Sequence, residues 1–210
     1  MIVRLFRKIQ VYDGRVDRYL SAFRRYVSSA ETILDVGCGS GTFSRALARD
    51  DRVVVSVDID KKLLRKFSGG VWRICADAHL LPLRSGIFDC VLSLSLMEHL
   101  QRPEDHVREL RRVLRKGGRL ILQLPNLQYF FEPHTKWPLL WFMPKTIQRI
   151  IFEKLKYTYV NMNVTVKYAL NQLITGGFNL ESRRKLYHLK AMKFIPFPPS
   201  YLFTLRKTAT

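Results

Sequence analysis

Between residues 31 and 125, five short apolar runs rich in β-branched residues alternate with segments of helical spacing. The runs are TILDVG, RVVVSVDID, VWRICADA, IFDCVLSLSL and GRLILQLPN. TFSRALARD, KKLLRKF and PEDHVRELRRVLRKGG lie between them. This alternation predicts a parallel sheet, because each parallel connection must cross back over a sheet face and a helix is what covers that face. The last helical segment opens with Pro103 and two acids, and is predicted to run through its basic residues to a stop at Gly117 and Gly118. In an open sheet of this kind ligands bind beyond the carboxyl ends of the strands, near the point where strand order reverses.

The flanks complete the architecture. Residues 16–29 place Val16, Tyr19, Leu20, Phe23 and Val27 on one helical face. After Asn126 the rhythm breaks into a segment with three prolines and the aromatics Phe130, Phe131, Trp137, Trp141 and Phe142, too long for an ordinary connection and expected to be an inserted lid. VTVKYALNQLITGGF reads as a helix with a glycine stop, and NLESRRKLYH with SYLFTLRKT as a C-terminal antiparallel hairpin. The expectation is one domain of α/β class, with a Rossmann-like, doubly wound, mostly parallel seven-stranded sheet. Its parts are a basic helical cap (1–30), a ligand-binding core (31–125), an acceptor lid (126–160), and a C-terminal helix and hairpin (161–210).

The first strand leads into Gly37-Cys38-Gly39-Ser40-Gly41 and then a helix. Glycines let backbone amides approach a ligand because no Cβ intervenes, and the helix start favours a polar guest. The spacing is GxGxG with Thr42 after it, whereas dinucleotide sites carry GxGxxG, so NAD and FAD are disfavoured. Asp35, Asp58 and Asp77 close three successive strands, and the loop has no lysine. Those acids suit a ligand with an ammonium group, a ribose and an adenine but no phosphates. S-adenosylmethionine has those parts.

LDVGCGSG, VDID, ADAHLLPL and FDCVLSLSLMEHL, in that order, resemble the motifs of the class I S-adenosylmethionine-dependent methyltransferases. LMEHLQRPED with LRRVLRKGGRLIL is similar to the branch that includes ubiquinone and menaquinone biosynthesis enzymes. The resemblance implies that Gly37, Cys38, Gly39, Ser40 and Gly41 lie under the methionine part, with Asp35 near its amino group. It implies Asp58 and Ile59 at the ribose and adenine, Asp77 and Ala78 at the adenine, and Ser93 near the carboxypropyl group. His99, just past the fourth strand, and His134, in the insertion, are the candidate catalytic bases or acceptor-orienting groups. A base is needed only where the acceptor must lose a proton.

Several classes are excluded or disfavoured. No apolar run is long enough for a membrane span, the first fifteen residues lack a secretory signal, and the three cysteines lack metal-site spacing. The cysteines all fall on strands or the glycine loop and are expected to be buried thiols in a reducing cytoplasmic setting. The fourth strand ends in SLSL rather than the [DNS]PP[YFW] of base-amino methylation, and no cysteine follows a proline as RNA cytosine C5 chemistry requires. The net charge is +19, yet residues 31–125 hold 16 Lys and Arg against 12 Asp and Glu, so the excess sits on the flanks. With the aromatic insertion, that pattern points to a small, apolar or lipid-like or phosphorylated acceptor, with peripheral contact to an anionic membrane. RNA or an RNA-associated protein is the alternative acceptor, and a non-catalytic cofactor-binding protein the alternative to an enzyme.

Overall fold

The computed structural model describes residues 13–66, 70–126, 143–154, 164–187 and 198–209. The expected lid, including His134, Trp137 and Trp141, falls mostly outside them. The chain runs α1 (Asp13–Val27), β1 (Thr32–Val36), α2 (Thr42–Leu47), β2 (Val53–Asp58), α3 (Lys61–Leu64), β3 (Trp72–Cys75) and β4 (Phe88–Leu94). A 3-10 turn (Met97–His99), α4 (Pro103–Val113), β5 (Leu114–Pro125), α5 (Lys145–Lys154), α6 (Val166–Thr175), β6 (Phe178–Leu186) and β7 (Ser200–Lys207) follow.

The seven strands form one sheet in the order β3-β2-β1-β4-β5-β7-β6. β1 to β5 pair in parallel, whereas β7 runs antiparallel between β5 and β6. Strand order reverses between β1 and β4, which puts the crevice where the glycine loop leaves β1. The period of two along each strand splits the core into two layers. On one face Leu34, Val36, Val91, Leu120, Leu122 and Phe203 pack against α4 and α6. On the other, Ile33, Val54, Leu92, Ile121 and Leu202 pack against Phe23 and Val27 of α1 and Leu47 of α2.

Arg52, buried at 8% exposure, ties this second layer together. Its guanidinium donates to the carbonyls of Val27, Ser28 and Ala30 at the end of α1, and to that of Leu47 at the end of α2. These are the carbonyls a helix leaves unpaired at its end.

α4 ends at Val113, four residues short of the glycine pair. The reason is a neighbour: Gly86 N–H and Ile87 N–H donate to the carbonyls of Arg112 and Val113, and Leu114 pairs with Phe88. Residues 114–118 thus join β5 through a register shift between Phe88 and Cys90, and Gly117 takes a positive φ of 70° within it. The expectation of uniformly buried cysteines also fails. Cys90 is buried and Cys38 half-buried, but Cys75 is exposed because β3 is a sheet edge.

Candidate cofactor and acceptor site

Gly37, Gly39 and Gly41 have φ of 72°, 55° and 71°, the left-handed region that side chains resist. Each serves differently. Gly37 turns the chain under Leu96, whose methyls lie 2.9 Å from where a Cβ would stand. Gly41 is the N-cap of α2. At Gly39 a Cβ would meet nothing within 4 Å, so that glycine faces open space. Gly37 N–H and Cys38 N–H donate to the Val57 carbonyl, anchoring the loop to β2.

Asp58 closes β2 beside this space. Its carboxylate accepts from Gly39 N–H at 2.8 Å and from Asp60 N–H at 2.8 Å, which fixes both oxygens at the loop. Asp35 lies one strand over at 2% exposure and accepts from Ser44 Oγ at 2.6 Å. Burial pushes its pKa up to about 6 against the pull of Ser44, and the nearby Asp58 charge adds to the rise. Burial likewise raises the Cys38 thiol, which suits a wall of the site and not a nucleophile. Two carboxylates at one loop favour a cationic guest.

Asp77 follows β3. It accepts from His79 N–H at 2.8 Å and from His79 Nδ1 at 2.6 Å, and the backbone bond chiefly holds its pKa below the usual carboxylate range. Ala78 is buried behind it, while Ile59 at 72% and Leu80 at 78% exposure present bare apolar surface on either side. Such surface fits a flat heterocycle.

The loop after Asp77 is gripped by one face of α4, a feature that the sequence reading missed. His106, fully buried, donates from Nδ1 to the Ala78 carbonyl at 3.1 Å, so its Nε2 accepts from Ser93 Oγ at 3.0 Å. Burial drives its pKa down to about 4, so the ring is neutral. Glu109 accepts from Leu81 N–H at 2.7 Å, and Arg112 donates to the carbonyls of Leu81 and Leu83 at 2.9 and 2.7 Å. The three residues recur every three positions, and that polar stripe on a helix with an apolar core face is the signal that could have found them. Ser93, expected at the carboxypropyl group, pairs in register with Val36, the residue before the glycine loop. It shares a face with Val91, against α4, and spends its hydroxyl on His106.

Past β4 the chain turns through Ser95, which has φ of 53° although not a glycine, and into the 3-10 turn that carries His99. Ser95 N–H donates to the Gln123 carbonyl at 3.3 Å, and Ser95 Oγ donates to Gln123 Oε1. Gln123 is 2% exposed, Met97 is fully buried, and His99 is half-buried. Strain of this kind concentrates at functional sites. Ser95 and Gln123 were also missed; the one usable signal is polar residues closing two adjacent apolar strands. Among the described residues no group of His, Cys, Asp or Glu could hold a metal ion.

An open glycine cradle between paired acids at the switch point of a 3-2-1-4-5-7-6 sheet defines a nucleoside-binding α/β protein of the Rossmann-like type. Residues 34–122 match the family model for a methyltransferase domain. Over 93% of its length the chain superposes on 99% of an S-adenosylmethionine-dependent methyltransferase from Mesorhizobium loti, with TM-score 0.72 and 21% identity. It is 25% identical over 155 residues to the demethylmenaquinone methyltransferase of Tropheryma whipplei, covering 70% of this chain and 64% of that one. It is 37% identical over 101 residues to the tRNA U34 carboxymethyltransferase of Actinobacillus succinogenes, covering 44% of this chain and 32% of that one. The chain thus spans less than two thirds of either curated relative. It carries a methyltransferase domain in the class I S-adenosylmethionine-dependent fold.

Proposed function

We propose that the chain moves a methyl group from S-adenosylmethionine to an acceptor held at the carboxyl ends of β4 and β5. The observation that carries this is Gly39, whose open side faces unfilled space beside Asp58 and the buried Asp35. When bound, S-adenosylmethionine supplies a methyl group on a positively charged sulfur. Asp35 holds the ammonium group, Asp58 accepts the ribose hydroxyls, and Asp77 with Ala78 and Ile59 takes the adenine, over the amides of residues 37–41. His99 orients the acceptor or takes its proton. Much of the catalysis is then positioning.

Two acceptor classes have support. At the end of β4 and β5 the described groups include the neutral or apolar Ser95, Gln123, Leu96 and Met97, with the Glu98 carboxylate buried at 1% exposure. They suit a small, uncharged, lipid-like acceptor, as a demethylmenaquinone methyltransferase relative suggests, met in the cytoplasm at the membrane surface. RNA is the second reading, favoured by the basic flanks and by the tRNA-directed relative. The test is to incubate the protein and labelled S-adenosylmethionine with total lipid and, separately, with total RNA, and to follow the label. Asp58→Ala should weaken binding of S-adenosylhomocysteine by roughly 1–3 kcal/mol, because the ribose loses a charged acceptor. Unchanged affinity by calorimetry would overturn the ribose assignment, and binding without label transfer to any extract would leave a cofactor-binding protein.

A further inference from the structure

Three arginines from three different elements converge on one phenol, away from the site described above, and a fourth joins them through a shared carboxylate. Arg25 of α1 stacks over the Tyr26 ring at 4.6 Å and also donates to its hydroxyl. Arg119 of β5 lies 5.8 Å from the same ring. Arg184 of β6 acts on the phenol through its charge, and Ser182 hydrogen-bonds it. Arg206 of β7 is the direct cross-strand partner of Arg119, and both pair with Glu181. Glu181 is the one carboxylate these interactions name, so the cluster keeps a surplus of three positive charges. Counted over α1, β6 and β7, nine Lys and Arg face three Asp and Glu.

We infer that this arginine cluster binds the phosphodiester backbone of RNA. The inference rests on the RNA reading of the acceptor and deepens it by naming the surface. Guanidinium groups gathered at one point repel unless an anion joins them, and their paired N–H groups match phosphate oxygens two at a time. The patch is built for backbone contact. α1 lies flat on the sheet through Phe23 and Val27, and β6 and β7 are in the sheet plane, so among the described residues of this patch nothing projects as a reading helix into a DNA major groove. A-form RNA keeps its major groove closed to side chains and is recognised through backbone and shape. Among the described residues a membrane fits less well, since large exposed apolar side chains such as Ile59, Trp72 and Leu80 lie toward the far edge of the sheet, and Leu180 of β6 points to the opposite face with Leu205. The cluster stands two to four strand spacings to the side of β1, roughly 10–20 Å. A few nucleotides of backbone span that distance.

The test is filter binding of the whole chain to unfractionated tRNA and to a 30-nucleotide single strand between 50 and 300 mM salt, beside co-sedimentation with phosphatidylglycerol vesicles. Calorimetry with S-adenosylhomocysteine runs in parallel. Wild type should bind tRNA with a logarithmic salt slope of about −3, as three or four neutralised phosphates give. Arg25→Glu with Arg184→Glu should lower that affinity at least tenfold and flatten the slope, with S-adenosylhomocysteine affinity unchanged. Lys62→Glu with Lys66→Glu, which changes net charge equally at a distant place, should lower it far less. If the glutamates unfold the chain, the Arg25→Gln, Arg184→Gln pair gives the same reading. No RNA binding at 50 mM salt, equal losses in the two charge-changed variants, or variant-sensitive binding to vesicles alone would each overturn the inference. S-adenosylhomocysteine binding that survives those outcomes leaves the cofactor site standing, whereas its absence in wild type fails the methyltransferase reading itself.

Discussion

Gly39 is the residue at which fold and function separate most cleanly. Its added side chain would strike nothing in the protein, so Gly39→Val should cost only the left-handed backbone, about 1–2 kcal/mol. The same side chain would stand in the cradle and abolish the thermal shift that S-adenosylhomocysteine gives wild type. Keeping the wild-type shift would mean the ligand lies elsewhere. Gly37 differs, because there a side chain would strike Leu96 and the fold itself would yield. At His99 the prediction concerns chemistry: His99→Ala should lower turnover on the true acceptor roughly 10²-fold or more with S-adenosylhomocysteine affinity nearly intact. Equal turnover would make that histidine structural.

α4 is the element on which the adenine loop depends. Arg112→Ala removes donors to two loop carbonyls and to Glu109, and should cost about 1–3 kcal/mol. More tellingly, amide exchange should rise first in residues 78–85, and S-adenosylhomocysteine should bind more weakly; uniform loss of protection across the sheet would show a general core defect instead. This network also marks how far the sequence could be read. The five parallel strands, the glycine loop and the three strand-end acids were legible because each is written in a contiguous pattern. The bond between Ser93 and His106 was not, since a period of two fixes alternation without saying which face meets α4. The end of α4 was missed because Gly86 and Ile87, in the turn before β4 and far away in sequence, take its last carbonyls. The exposure of Cys75 depends on β3 being an edge, which strand order alone decides.

Across the whole molecule, two buried groups set opposing pH dependences. Asp35 is raised from 3.8 to about 6, so its favourable contribution is complete below pH 4 and is lost as pH rises through 6. His106 is lowered from 6.5 to about 4, so its contribution is complete above pH 6.5 and is lost as pH falls through 4. Each amounts to on the order of 3 kcal/mol, so in wild type the two slopes nearly cancel. Asp35→Asn should unmask the histidine, giving a protein about 2–3 kcal/mol more stable than wild type at pH 7 but deficient in cofactor binding. His106→Gln should show the reverse slope, losing stability from pH 4 to 6. Urea melts at pH 4.5, 5.5 and 7 decide this; parallel profiles for the two variants would refute it. The placement of β7 has a further consequence, for the order of assembly. β6 is made before β7, yet within the sheet its pairing partner is β7, which slots between it and β5. Until residues 200–207 arrive, the long apolar rim of β5 stands open and β6 waits without a neighbour. That interval is when one chain is most exposed to capture by another, and a strand from a second molecule would find the gap already shaped for it.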